Sequence, residues 1–177
     1  VDDDPSVLRG LERLLRSAGY AVEAYASARA FLERPAKDQH GCAVVDLRMP
    51  ELTGLELQEE LVRRGAQVRA FIHYRVMGER GWLEGADPAI LEAVEFVTGD
   101  LRDVETVTRA VQGSDRVFHL GALIGIPYSY QSPRDVVETN VTGTLNVLQA
   151  CRTAEVGQLL HTSTSEVYGT ATHLPID

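Results

Sequence analysis

Apolar residues recur at helical spacing, run together in short blocks, and recur again along most of the chain. Asp4-Pro5 pairs an N-cap residue with a proline at the first helical position. Val7, Leu8, Leu11, Leu14, Leu15 and Ala18 follow on one face and stop at Gly19, which predicts a helix. Val22 to Ala26 predicts a short strand, and Ala28 to Leu32 a second helix ending near Pro35. Cys42-Ala43-Val44-Val45 is a continuous apolar run closing on Asp46, as expected of a strand covered on both faces. Thr53 to Arg64, with Leu55, Leu57 and Leu61, predicts a helix, and Val68 to Tyr74 a strand. Gly78, Gly81 and Gly85 mark Arg75 to Pro88 as a loop before a short helix at Ala89 to Ala93.

Three strand–helix steps follow. Val94 to Thr98 precedes a helix at Val104 to Val111, and Arg116 to Leu120 precedes a long helix at Pro133 to Thr153. Val137, Val141, Thr144, Leu145 and Leu148 are assigned to the inner face of that helix, and Gln158 to Thr162 is the last strand. Such alternation predicts an α/β fold: three layers, Rossmann-like, with helices on both faces of a parallel sheet. Ligands of such sheets bind at the carboxyl ends of the strands.

The 177 residues suit about one domain, with 17 basic residues against 26 acidic ones. A net charge of −9 argues against a nucleic-acid partner, which needs a basic face. No apolar run is long enough for a membrane span and no signal peptide opens the chain, so a cytoplasmic location is expected. Cys42 and Cys151 form no Cys-x-x-Cys and read as free thiols. No pair among His40, His73, His119, His161 and His173 has metal-ligand spacing, and His119 reads as a core residue. Lys37 is the only lysine and sits in a polar stretch that reads as a loop, so chemistry needing a lysine at a strand end has no candidate.

Val1-Asp2-Asp3-Asp4-Pro5, Leu14-Leu15-Arg16-Ser17-Ala18-Gly19-Tyr20 and Val45-Asp46-Leu47-Arg48-Met49-Pro50 with Thr53-Gly54 occur in that order. Residues 1–57 thereby resemble part of the receiver domain of a bacterial response regulator, a flavodoxin-like fold. The resemblance implies Asp2, Asp3 and Asp46 as Mg²⁺ ligands, Asp46 as phosphoacceptor, and a histidine kinase as partner. Carboxylate oxygens suit Mg²⁺, and the metal offsets phosphoryl charge. The first receiver strand is present only as Val1, and other sequence replaces its later strands, including the expected lysine.

Residues 58–177 resemble part of an extended short-chain dehydrogenase/reductase, of the nucleotide-sugar epimerase and 4,6-dehydratase kind, with a Rossmann domain. The resemblance rests on Glu59 to Ala70, Val97-Thr98-Gly99-Asp100-Leu101-Arg102-Asp103 and Val117-Phe118-His119-Leu120-Gly121-Ala122. It also rests on Asn140 to Leu148 and on Thr162-Ser163-Thr164-Ser165-Glu166-Val167-Tyr168-Gly169. It implies a nucleotide-sugar substrate, NAD or NADP as cofactor, and a homodimer. Asp100 and Leu101 would flank adenine, Gly121 and Ala122 would pass over ribose and phosphates, and Gly54 would be the last glycine of the phosphate turn. Thr164 would be the catalytic hydroxyl and Glu166 a general base.

Two parts of that machinery depart from the family pattern. The turn Gly-x-x-Gly-x-x-Gly falls here on Arg48, Glu51 and Gly54, so only the last glycine is kept. The Tyr-x-x-x-Lys pair is absent. Ile72-His73-Tyr74-Arg75 carries no acidic residue for an NAD ribose, and Arg75 would favour a 2′-phosphate. The two resemblances meet within one predicted helix, which marks the chain as a chimera. Three functions remain open: an inactive epimerase/dehydratase-like fragment, a phosphoaspartate receiver module, or a folded scaffold without activity. The two strand orders also compete for the slots beside Cys42 to Asp46. The reductase order, with Val68 to Tyr74 and Arg116 to Leu120 as its neighbours, is the one expected.

Overall fold

The structure is a computed structural model that describes residues 1–34, 41–73, 85–164, 167 and 169–170. The chain divides into two compact units. One is Val1–Ala70 with Arg75–Phe96; the other is Phe71–Tyr74 with Val97–Asp177.

In the first unit, Asp4 accepts hydrogen bonds from the Ser6 and Val7 amides and starts α1 (Pro5–Ser17). α1 buries no residue. Ser27 caps the short α2 (Ala28–Leu32), and Thr53 caps α3 (Gly54–Arg63). α4 (Pro88–Ala93) precedes β2 (Val94–Gly99), which pairs with β1 (Val68–His73), and the division between the units falls within both strands. Ala28, Phe31, Met49 and Leu57 form the core here, with Val1, Tyr25, Val45, Leu52 and Leu61 packed against it. Tyr25 meets Phe31 edge to face at 5.4 Å.

Two predicted strands are extended segments without a regular ladder: residues 22–26 and 42–45. Val1 N donates to Val44 O at 2.6 Å, Asp46 N to Val1 O at 2.9 Å, and Asp2 N to Tyr25 O at 3.1 Å. Val1 and Asp2 are all that stands between these segments, and two residues cannot supply the repeated pairs of a ladder. The slot beside residues 42–46 is thus filled by Val1, in the receiver order rather than the expected reductase order. On the side facing α3, a cavity of about 350 Å³ lies among Ala43, Val45, Leu55, Leu61 and Val68.

In the second unit, β3 (Arg116–His119) runs parallel to β4 (Gln158–His161). α5 (Val104–Val111) starts at Asp103, whose carboxylate accepts from the Glu105 and Thr106 amides. α6 (Ile126–Gln131) was not foreseen from the pattern. The predicted long helix is α7 (Pro133–Val137), a π-turn (Glu138–Thr142) and α8 (Gly143–Thr153) in succession. α5 packs on α8 around Val107, Val147, Ala150 and Cys151.

The inner face of the long helix differs from the expected one. Gly143, Asn146, Val147, Ala150 and Cys151 are buried, whereas Val137, Val141, Leu145 and Leu148 are exposed. The close approach at Gly143 decides this: a Cβ there would lie 3.0 Å from Leu101 Cβ. The helix rotates its smallest residues inward, and its larger aliphatic stripe faces out.

Candidate functional site

The turn from Asp46 to Gly54 holds the residues from which both resemblances lead one to expect phosphate chemistry. Asp46 Oδ2 accepts from Arg48 N at 3.1 Å, and Gly54 N donates to Leu47 O at 3.2 Å. A Cβ at Gly54 would collide with the Asp46 carbonyl oxygen, so α3 approaches this backbone as only glycine allows. Glu51 adopts a left-handed φ of 65°, a glycine-like conformation at one of the two lost glycine positions. Its carboxylate lies 3.6 Å from Arg29 Nε.

The start of α3 already holds a carboxylate. Glu56 Oε2 accepts from Thr53 N and from Thr53 Oγ1, both at 2.8 Å, and Glu56 N donates back to Thr53 Oγ1 at 3.3 Å. These bonds from Thr53 hold the Glu56 carboxyl below the usual carboxylate range. The amides of residues 53, 54 and 56 therefore have internal acceptors, and the side chains of Arg48 and Glu51 stand where the family has none. This turn does not fit a pyrophosphate. Glu56 escaped the sequence reading, although Thr53-x-x-Glu56 before an apolar run is the sequence signature of a capping box.

Asp2 Oδ1 accepts from Asp4 N at 2.9 Å. Among the described residues, no group of three His, Cys, Asp or Glu side chains is placed to hold a metal ion. Lys37 lies outside the described residues.

In the second unit, Asp100 is the centre of a polar network. Its Oδ1 accepts from Arg102 Nε and N, both at 2.9 Å, and its Oδ2 from Arg102 Nη2 at 2.7 Å. His73 Nε2 is 3.0 Å from Oδ2. Arg102 chiefly, with help from His73 and against partial burial, holds the Asp100 carboxyl well below its ordinary range. Arg102 Nη1 continues to Asp135 Oδ1 at 2.8 Å, and Tyr128 Oη donates to Asp135 Oδ2 at 2.7 Å. Arg102 and His73 were missed as partners of Asp100; the Asp-x-Arg spacing at the end of a strand was the available signal.

Leu101 joins the remaining expected residues of this unit. Its carbonyl accepts from Asn146 Nδ2 at 2.9 Å, and its Cδ1 would lie 2.9 Å from a Cβ at Gly121. The segment after β3, with Gly121 and Ala122, is fastened by Asn140 in the π-turn. Asn140 Oδ1 accepts from Leu123 N at 2.8 Å, and Asn140 Nδ2 donates to Leu123 O at 2.9 Å. π-turns recur at functional sites, and this one presents a side-chain amide to a backbone segment. Thr164 is exposed after β4. Glu166, Tyr74 and Arg75 lie outside the described residues.

The family model for GDP-mannose 4,6 dehydratase matches residues 53–177. The chain belongs to the GDP-mannose 4,6 dehydratase family. The receiver domain model of response regulators matches residues 1–73 of this family member, so the two matches share residues 53–73, which are α3 and β1. The family member is 41% identical over 122 residues to a 2-alkyl-3-oxoalkanoate reductase of Stenotrophomonas maltophilia, covering 68% of this chain and 32% of that one. It is 37% identical over 106 residues to the response regulator protein TodT of Pseudomonas putida, covering 59% and 45%. Among solved structures, UDP-glucose 4-epimerase from Bifidobacterium longum, in complex with NAD⁺ and UDP, matches with a TM-score of 0.50 and 28% identity. That match covers 67% of this chain and 36% of the epimerase. The GDP-mannose 4,6 dehydratase family member therefore spans about a third to a half of these relatives, and it is a chimera of two α/β families.

Proposed function

We propose that the chain is an epimerase/dehydratase-like fragment that keeps the adenosine side of an NAD(P) site and lacks turnover. The observation that carries this reading is the close approach of Gly121 to Leu101, where a Cβ at residue 121 would lie 2.9 Å from Leu101 Cδ1 and push that side chain aside, beside Asp100 with its carboxylate held by Arg102 and His73. Asp100, Leu101, Gly121 and Ala122 would hold the nucleoside. Arg48 and Glu51 occupy two of the three glycine positions of the phosphate turn and only Gly54 is kept, and the expected loss of turnover rests on that departure. Thr164 and Glu166 would face a nucleotide sugar. The exposed Val137, Val141, Leu145 and Leu148 stripe is the surface through which two copies would associate.

Thermal unfolding with and without saturating NAD⁺ tests the reading, because a ligand bound only by the folded state raises the midpoint. An upward shift that Asp100→Ala diminishes is expected, with no conversion of nucleotide sugar. No shift with NAD⁺ or with ADP overturns it.

A second reading makes Asp46 the phosphoacceptor of a receiver module, with a histidine kinase as donor. It is supported by the position of the half-buried Asp46 at the end of the extended segment 42–46, within the residues that the receiver model matches. Mg²⁺-dependent labelling by a small phosphodonor, lost in Asp46→Asn, would establish it. No response in either assay leaves a folded scaffold.

A further inference from the structure

Parallel pairing of β3 with β4 places His119 opposite His161. Their ring centroids are 5.3 Å apart, with planes at 30°. His119 is buried, at 6% exposure, while His161 is open to solvent. His119 Nε2 stands 3.1 Å from Thr144 Oγ1 on α8. That hydroxyl has a single proton, and it is donated to the Asn140 carbonyl oxygen at 2.6 Å. His119 Nε2 is therefore the donor, and the neutral ring keeps its lone pair on Nδ1. Asn140 in turn holds both backbone groups of Leu123. Connected hydrogen bonds thus run from the ring pair to the segment that follows β3.

We propose that the His119–His161 pair is a proton-sensitive clasp. It fastens β3, β4 and residues 120–123 while the buried His119 ring is neutral, and loosens them when that ring takes a proton beside His161.

The surroundings of His119 support the clasp. From β4 the facing group is His161. From α8 it is the uncharged Thr144 hydroxyl, with the Cys151 thiol in the core of Val107, Val147 and Ala150. From the turn before α5 it is the apolar Leu101, which together with the His119 ring crowds the open side of Gly121. None of these groups is a carboxylate that would offset a second cation. Burial first, and His161 second, push the His119 pKa below its ordinary value. The sign follows: above about pH 6.5 neither state takes up this proton and the contribution to stability is whole. As pH falls from there toward the lowered folded value, the unfolded chain gains a proton that the folded chain refuses, and stability is lost.

The test compares the whole 177-residue chain with His161→Gln, an exposed change that leaves the core intact. Unfolding midpoints are read at about pH 7.5 and about pH 5, on either side of histidine titration. The wild-type midpoint is expected to fall by several degrees, and that of His161→Gln by measurably less, the part due to burial of His119 remaining in both. Hydrogen exchange at the Leu123 amide, corrected for its intrinsic pH dependence, supplies a readout that lost packing alone would not move. Protection should drop roughly tenfold in acid in the wild type and measurably less in the variant. Equal midpoint losses in the two proteins, or Leu123 protection indifferent to pH in the wild type, would overturn the clasp.

Discussion

At the scale of single residues, the turn between Asp46 and Glu56 is the most constrained part of the chain. Gly54→Ala would drive a methyl group into the Asp46 carbonyl oxygen, which is backbone and cannot swing aside. The expected cost is about 1–3 kcal/mol, the usual range for overpacking, read as a lower urea midpoint at unchanged slope. Thr53→Ala removes the hydroxyl that donates to Glu56 Oε2 and accepts from Glu56 N, and should cost about 1 kcal/mol in the same measurement. Glu56 adds a pH signature. Its carboxyl lies below the ordinary range in the folded state, so its contribution is whole above the unfolded carboxylate pKa and is lost as pH falls through the lowered value. Glu56→Gln, which cannot ionise, should therefore flatten the acid limb of the stability curve; an unchanged limb would show that the capping carboxylate carries no weight. Gly54 was legible in the sequence because a glycine at a strand–helix turn has few other reasons to be there. Glu56 was overlooked because the glycine positions of the turn drew the reading, while its capping signature stood one turn later.

At the scale of elements, the sequence pattern located every helix and strand of the described residues except α6, but it also predicted two strands that do not form and misread the inner face of one helix. Residues 22–26 and 42–45 have strand composition, yet a strand exists only where a neighbour completes its ladder, and here Val1 and Asp2 are the neighbours. Composition reports the face of a segment and cannot report its partner. The long helix fails differently. It has two apolar faces, so periodicity could not choose between them. Leu101 decided the matter by requiring Gly143 inward, a contact from another element that no local pattern contains. The two faces predict opposite mutational outcomes. Val147→Ala, at 3% exposure, should cost about 1–3 kcal/mol. Val141→Gln, at 64% exposure, should stay within about 0.5 kcal/mol while weakening any association of copies seen by light scattering. Strong destabilisation by Val141→Gln would mean that the stripe faces inward after all.

At the scale of the whole molecule, the shared segment of residues 53–73 explains how two families meet in one chain. Each family needs a helix followed by a strand at this point, and α3 with β1 serves either match. The secondary-structure rhythm survives the junction, and each unit has a buried cluster of its own. One cluster gathers around Phe31, Met49 and Leu57, and the other around Val107, Val147 and Ala150. Cooperativity follows from shared packing, so separate cores should melt separately. Urea unfolding should accordingly show two transitions when followed by residue-specific probes. Leu57→Ala, at a site of 1% exposure, should lower the first unit's midpoint by the equivalent of about 2–5 kcal/mol and leave the second in place. Val147→Ala should do the reverse. If either substitution moved both transitions together, the units would be energetically one body and the chimera would have rebuilt a common core. If each moved only its own, residues 53–73 would join two half-domains that fold side by side without sharing stability.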